Sequence, residues 1–155
     1  MKKTTLYIVL SSLCLFLGMF SGRLTEPSDY MWLSNLKQPW FSPPNWLYAP
    51  VWTILYLMMG VAIAKIWIAN KKQNNKLPII IFIVQLMLNL SWSPIFFHFR
   101  RIDLALCDLF LLWISLLILL FITKKIHQVF FLLLPYLVWV SFALVLNFSI
   151  YTLNT

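Results

Sequence analysis

Acid is what this sequence has least of. Its 155 residues include four carboxylates, Glu26, Asp29, Asp103 and Asp108, with no facing pair of them on a predicted helix. That excludes the matched acid and base on which most hydrolytic sites depend. Charge of both signs is scarce too, at 10% of residues, where a soluble domain carries about a quarter. Such a chain cannot clothe a water-facing surface. Cysteine is limited to Cys14 and Cys107, both inside apolar runs and in no metal-ligand spacing, so they read as small buried hydrophobes. His98 and His127 stand alone near segment ends, in no zinc motif. There is no Ser-His-Asp arrangement and no phosphate loop, so no conventional enzyme signature is present and no cofactor is required.

What is abundant is apolar side chain, at 62% of residues. A helix needs about 20 such residues to cross the hydrocarbon core. Five stretches qualify: Thr5–Gly22, Trp46–Ala69, Leu77–Phe99, Leu104–Thr123 and Val129–Leu153. Their length and uniform apolarity exclude the alternating strands of a membrane barrel. The first could also be a signal peptide after Lys2-Lys3, but no clean small-x-small cleavage site follows it. The expectation is one all-α membrane domain over residues 1–155, a bundle of five transmembrane helices in which consecutive helices lie side by side. Residues 23–45, rich in Trp and Pro, are expected to form a loop folded as a lid over one end.

The net charge of +8 does not imply nucleic acid, because the basic residues cluster at the ends of apolar runs. Lys2, Lys3, Lys71, Lys72, Lys76, Lys124 and Lys125 fall on one side, against Arg23, Lys37, Arg100 and Arg101 on the other. The larger group marks a cytoplasmic N-terminus. Lys65, inside the second span, is expected to snorkel to the same side.

Polar residues within spans carry the functional signal, since a buried amide is costly unless paired. Gln85, Asn89 and Trp92 share one face of the third span; Tyr136, Trp139, Ala143, Leu146 and Asn147 form a stripe on the fifth; Trp52, Tyr56 and Met59 do so on the second. Two readings stay open from spacing alone. The amides bond between helices as packing glue, or the stripes wall a cavity for a planar apolar ligand. Asp103 is expected to cap the fourth span, and Asp108 to pair with Arg100 or Arg101. Pro50 and Pro135 are placed near helix starts, and Gly18 with Gly22 allows close packing within the bundle or in a homodimer.

Three blocks carry a family resemblance. They are Trp32-Leu33-Ser34-Asn35-Leu36 through Pro39 and Phe41-Ser42-Pro43-Pro44-Asn45-Trp46 to Pro50-Val51-Trp52-Thr53-Ile54-Leu55-Tyr56; then Gln85 to Phe97; then Leu134-Pro135-Tyr136-Leu137-Val138-Trp139 to Asn147. Together they resemble the TspO/MBR family of tryptophan-rich sensory proteins and translocator (peripheral benzodiazepine receptor) proteins. The resemblance implies a five-helix bundle whose first loop caps a cavity that binds porphyrins such as protoporphyrin IX and benzodiazepine-type ligands. By motif position the cavity residues are Trp32, Trp52, Asn89, Trp92, Trp139, Ala143, Leu146 and Asn147, to which the spacing adds Gln85. Gln38-Pro39 departs from the usual Lys-Pro. No basic residue follows Tyr151, which counts against the cholesterol pattern some members carry.

Three functions follow: tetrapyrrole binding or transport; light- and oxygen-dependent protoporphyrin degradation, with Trp52 and Trp139 as redox-active indoles; and a sensor or scaffold acting through membrane partners. The short tails and the departure suggest a bacterial inner membrane, with lipids, the planar ligand and a second copy as partners.

Overall fold

The computed structural model describes residues 3–23, 25, 27–73 and 75–155. Lys2 and the side chain of Lys72, both counted toward orientation, lie outside what is described. Lipid offers the backbone no hydrogen bonds, so each crossing segment must satisfy its own as a helix. The chain obeys: α1 spans Lys3–Arg23, α2 Pro27–Asn35, α3 Tyr48–Gln73, α4 Leu77–Ser93, α5 Ile102–Ile122 and α6 His127–Asn154. A 3-10 turn at Asn45–Leu47 leads into α3, and a π-helical turn at Pro94–His98 ends α4. Five of these segments are long and apolar enough to cross a membrane. The protein is a multi-pass all-α membrane protein.

The bundle closes as a ring in the order α1, α3, α6, α5, α4, with α4 returning to α1. Consecutive helices are therefore not always principal neighbours: α3 packs mainly on α1 and α6, and touches α4 only lightly. The α1–α3 seam explains the spacing of small residues. A Cβ on Gly60 would collide with the backbone of Ser11 and Leu10, and one on Gly18 with the ring of Tyr56. Gly22 has open space around it, so the Gly18-Gly22 pair does not form a single packing seam. Instead Gly18 serves contact within the bundle.

Several local expectations are corrected. The presumed lid loop contains a helix, α2, with Pro27 at its start and Asp29 in its first turn, a sequence signal for a helix N-terminus. Pro135 sits inside α6 rather than near its start. Arg101, not Asp103, occupies the N-cap of α5, and Asp103 accepts from Arg101 Nε at 2.9 Å and Nη2 at 2.7 Å. Asp108 pairs with neither arginine; its Oδ1 accepts from Ser91 Oγ of α4 at 2.9 Å. Proximity in sequence misled here, because five residues along α5 carry Asp108 a turn and a half into the bundle. Cys14 is buried, but Cys107 is exposed on the lipid side. Lys65 donates to Gln128 of α6 at 2.5 Å and lies 5.5 Å from the ring centroid of Tyr7.

Candidate functional site

Two groups of residues are assembled from the three stripes. The first lies mid-bundle, where α3, α4 and α6 meet. Tyr56 Oη donates to Asn89 Oδ1 at 2.5 Å, and Tyr136 Oη donates to Gln85 Oε1 at 3.0 Å. Tyr136 and Gln85 are both 0% exposed. The ring of Trp52 packs against Tyr56, Tyr136 and Trp139, at centroid distances of 5.6, 6.2 and 6.5 Å. Trp139 also meets Phe142 at 5.7 Å and Tyr48 at 6.0 Å. Two of the three singled-out amides thus bond across helices, each spending its carbonyl on a tyrosine from a neighbour.

The second group lies toward the lid. Trp32 of α2 meets Phe96 edge-on at 5.6 Å, and Phe96 stacks on Trp92 at 5.0 Å with an interplanar angle of 19°. Phe96, Leu146 and Ile150 form a small core against which Trp32 and Trp92 pack. Ala143, one turn before Leu146 and Asn147, packs on the main core instead. Asn147 on α6 is 2% exposed, yet neither its Oδ1 nor its Nδ2 has a partner among the described residues; Trp92 Nε1 is likewise unpartnered. Gln85 Nε2 and Asp108 Oδ2 complete the set of such buried atoms. Each is costly at membrane depth, about 1–3 kcal/mol for a neutral group, and so needs an explanation such as a ligand or water.

The lid is tied down at both ends. Ser21 Oγ donates to the Leu90 carbonyl at 2.7 Å, and Thr25 and Ser93 hydroxyls meet at 3.2 Å. At the far end, Lys37 N–H donates to Asn154 Oδ1 at 2.9 Å while Asn154 Nδ2 donates to the Lys37 carbonyl at 3.0 Å. Between these anchors Arg100 Nη2 approaches Asp29 Oδ1 at 3.8 Å, and its guanidinium carbon lies 5.8 Å from the Trp32 centroid. Arg100 has φ 53°, the one positive-φ residue other than glycine among those described. It follows the π-helical turn as its left-handed cap, with Arg101 N–H bonded to the Ile95 carbonyl at 3.1 Å. Glycine is the usual choice there, and a side chain costs about 1 kcal/mol or more. Arg100, the ring of Phe96 and the lid helix are what sequence reasoning missed; only the Pro27-Ser28-Asp29 start was legible.

An open hollow of about 660 Å³ lies elsewhere, on the outer face of α5 and α6 between Leu106, Phe110, Leu111, Leu144 and Phe148. None of the expected site residues lines it. No group of three or more potential metal ligands occurs among the described residues.

Comparison with known proteins agrees with this architecture. Residues 10–153 match the TspO/MBR family. The tryptophan-rich protein TspO of Chlorobaculum tepidum is 41% identical, over 99% of this chain and 99% of its own length. A protein of the same description from Archaeoglobus fulgidus is 36% identical over 90% of this chain and 91% of its own. The human translocator protein is 33% identical over 89% of this chain and 84% of its own.

Proposed function

The chain belongs to the TspO/MBR family, and from that premise we propose that it is a membrane receptor or carrier for planar hydrophobic ligands, porphyrins foremost and benzodiazepine-type compounds with them. The ligand lies beneath the lid, between α4 and α6, with Trp32, Trp92 and Leu146 on one side and Trp139, Ala143 and Trp52 on the other. Aromatic faces supply stacking area, and the amide of Asn147 supplies the polar contact that orients the ring. The observation that carries this reading is Asn147 itself: a buried amide with both polar atoms unpartnered, on the same stripe as Trp139. A purely structural amide would be bonded through its carbonyl at least, as Gln85 and Asn89 are, whereas Asn147 is bonded through neither atom.

Fluorescence titration of purified protein with protoporphyrin IX tests it. Asn147→Leu and Trp139→Ala are expected to weaken binding at least tenfold while the helical signature persists. Unchanged affinity in both removes the site. The protein takes up its ligand from the bilayer of a bacterial inner membrane, N-terminus inside, and works as a single copy or a homodimer.

One geometric feature favours a second reading, porphyrin degradation with light and oxygen. Trp52, Trp139, Tyr56 and Tyr136 form a continuous group of oxidisable rings with neighbouring centroids 5.6 to 6.5 Å apart. Illumination of the protein with protoporphyrin IX decides it. A bilin-like absorption lost in Trp139→Phe supports catalysis, and bleaching equal to that of free porphyrin contradicts it.

A further inference from the structure

The lid end of the bundle carries Arg23, Lys37, Arg100 and Arg101, and these cations are not equivalent. Arg101 is committed to Asp103 through two short hydrogen bonds, at 2.9 and 2.7 Å. Lys37 is fastened to Asn154 through its backbone alone, and its ammonium is a point charge on a flexible stem, without the planar fork that matches a carboxylate. Arg100 Nη2 approaches Asp29 Oδ1 only to 3.8 Å, with the Arg100 side chain 49% exposed and that of Asp29 only 6%. A guanidinium is built for two parallel bonds to one carboxylate, and this contact uses little of that capacity. The group also stands above the indole of Trp32, the outermost ring of the series Trp32, Phe96, Trp92 that descends to the unpartnered Trp92 Nε1. Its backbone holds a left-handed conformation that glycine would adopt more easily, so the position is occupied at some cost by a side chain with a task.

We infer that Arg100 is the residue at the mouth of the site that binds the ligand's carboxylate, so that a porphyrin lies with its acid edge toward the lid. This rests on the ligand site proposed above and adds to it an anchoring residue and a direction. The flat body lies among the rings, the acid points outward, and Arg100 exchanges its loose contact with Asp29 for a two-pronged one with the ligand. Asp29 then serves as the internal stand-in that holds the guanidinium over Trp32 when no ligand acid is there. Neutral ligands of the same shape enter the same space without this contact.

The test compares protoporphyrin IX with its dimethyl ester, which has the same ring and no free acid. Binding is titrated in nanodiscs of zwitterionic lipid, with empty discs subtracted, for the wild type, Arg100→Gln, Arg100→Gly and Arg101→Gln. The wild type is expected to bind the diacid at least tenfold more tightly than the diester. Both Arg100 variants bring the diacid down to the diester and leave the diester unchanged, which also shows that they fold; Arg100→Gly does so with the more permissive backbone. Arg101→Gln keeps the preference. Equal binding of diacid and diester by the wild type, a preference that survives both Arg100 variants, or one lost equally in Arg101→Gln overturns this inference and leaves the ligand site standing. Failure of the wild type to bind either compound overturns both.

Discussion

The middle of the bundle and its lid end draw on the same residue types and treat them differently. In the middle, Gln85 and Asn89 give their carbonyls to Tyr136 and Tyr56. Toward the lid, neither polar atom of Asn147 nor the indole N–H of Trp92 has a partner among the described residues, whereas in the middle Gln85 lacks one only at Nε2. The difference separates structure from recognition. At membrane depth a bonded amide joins helices, at roughly 0.6 kcal/mol per bond on average, whereas an unbonded one is a liability unless something else meets it. Composition alone does not distinguish them.

The largest expected effect lies in the middle. Tyr136→Ala removes a fully buried ring and leaves Gln85 wholly unbonded, and is expected to cost about 3–5 kcal/mol, read as a large drop in thermal denaturation midpoint in detergent. A small drop would mean that the middle is less tightly built than its hydrogen bonds imply. Next comes the α1–α3 seam. Gly60→Val drives a side chain into the backbone of Ser11 and Leu10, expected to cost about 1–3 kcal/mol, while Gly22→Val at the lid end of α1 leaves the midpoint unchanged. Equal effects would erase the contrast between the middle and the lid end. Asp108→Leu removes an unpartnered Oδ2 and leaves Ser91 Oγ its second acceptor, the Leu88 carbonyl at 3.0 Å. Stability is expected to hold or rise slightly. Smallest of all, Asp103→Ala breaks an exposed ion pair with Arg101, and no measurable change in the midpoint is expected.

The spans were legible because lipid imposes length and apolarity on every crossing segment, and the three stripes were legible because a helix repeats every 3.6 residues. Neighbour order was not. Nothing in α3 says that it packs on α6 rather than fully on α4, and only that choice brings Trp52 to Tyr136 and Trp139. For the same reason the roles of Asn89 and Asn147 could not be told apart in advance: each is an asparagine on an aromatic stripe, and the difference is whether a tyrosine hydroxyl from another helix reaches it. Arg100 left no signal, since its importance comes from the turn that swings it back over Trp32. The lid helix did leave one, in Pro27-Ser28-Asp29, obscured by the prolines that follow.

The paired measurement of Asn89→Leu and Asn147→Leu, each by thermal denaturation and by protoporphyrin titration, bears on the central claim most directly. Asn89→Leu strands the Tyr56 hydroxyl and is expected to lower stability by about 1–3 kcal/mol. Asn147→Leu strands nothing and is expected to leave stability equal or higher while porphyrin affinity falls at least tenfold. If instead Asn147→Leu destabilises the protein as much as Asn89→Leu does and binds porphyrin as the wild type does, both amides are glue and the proposed site is wrong.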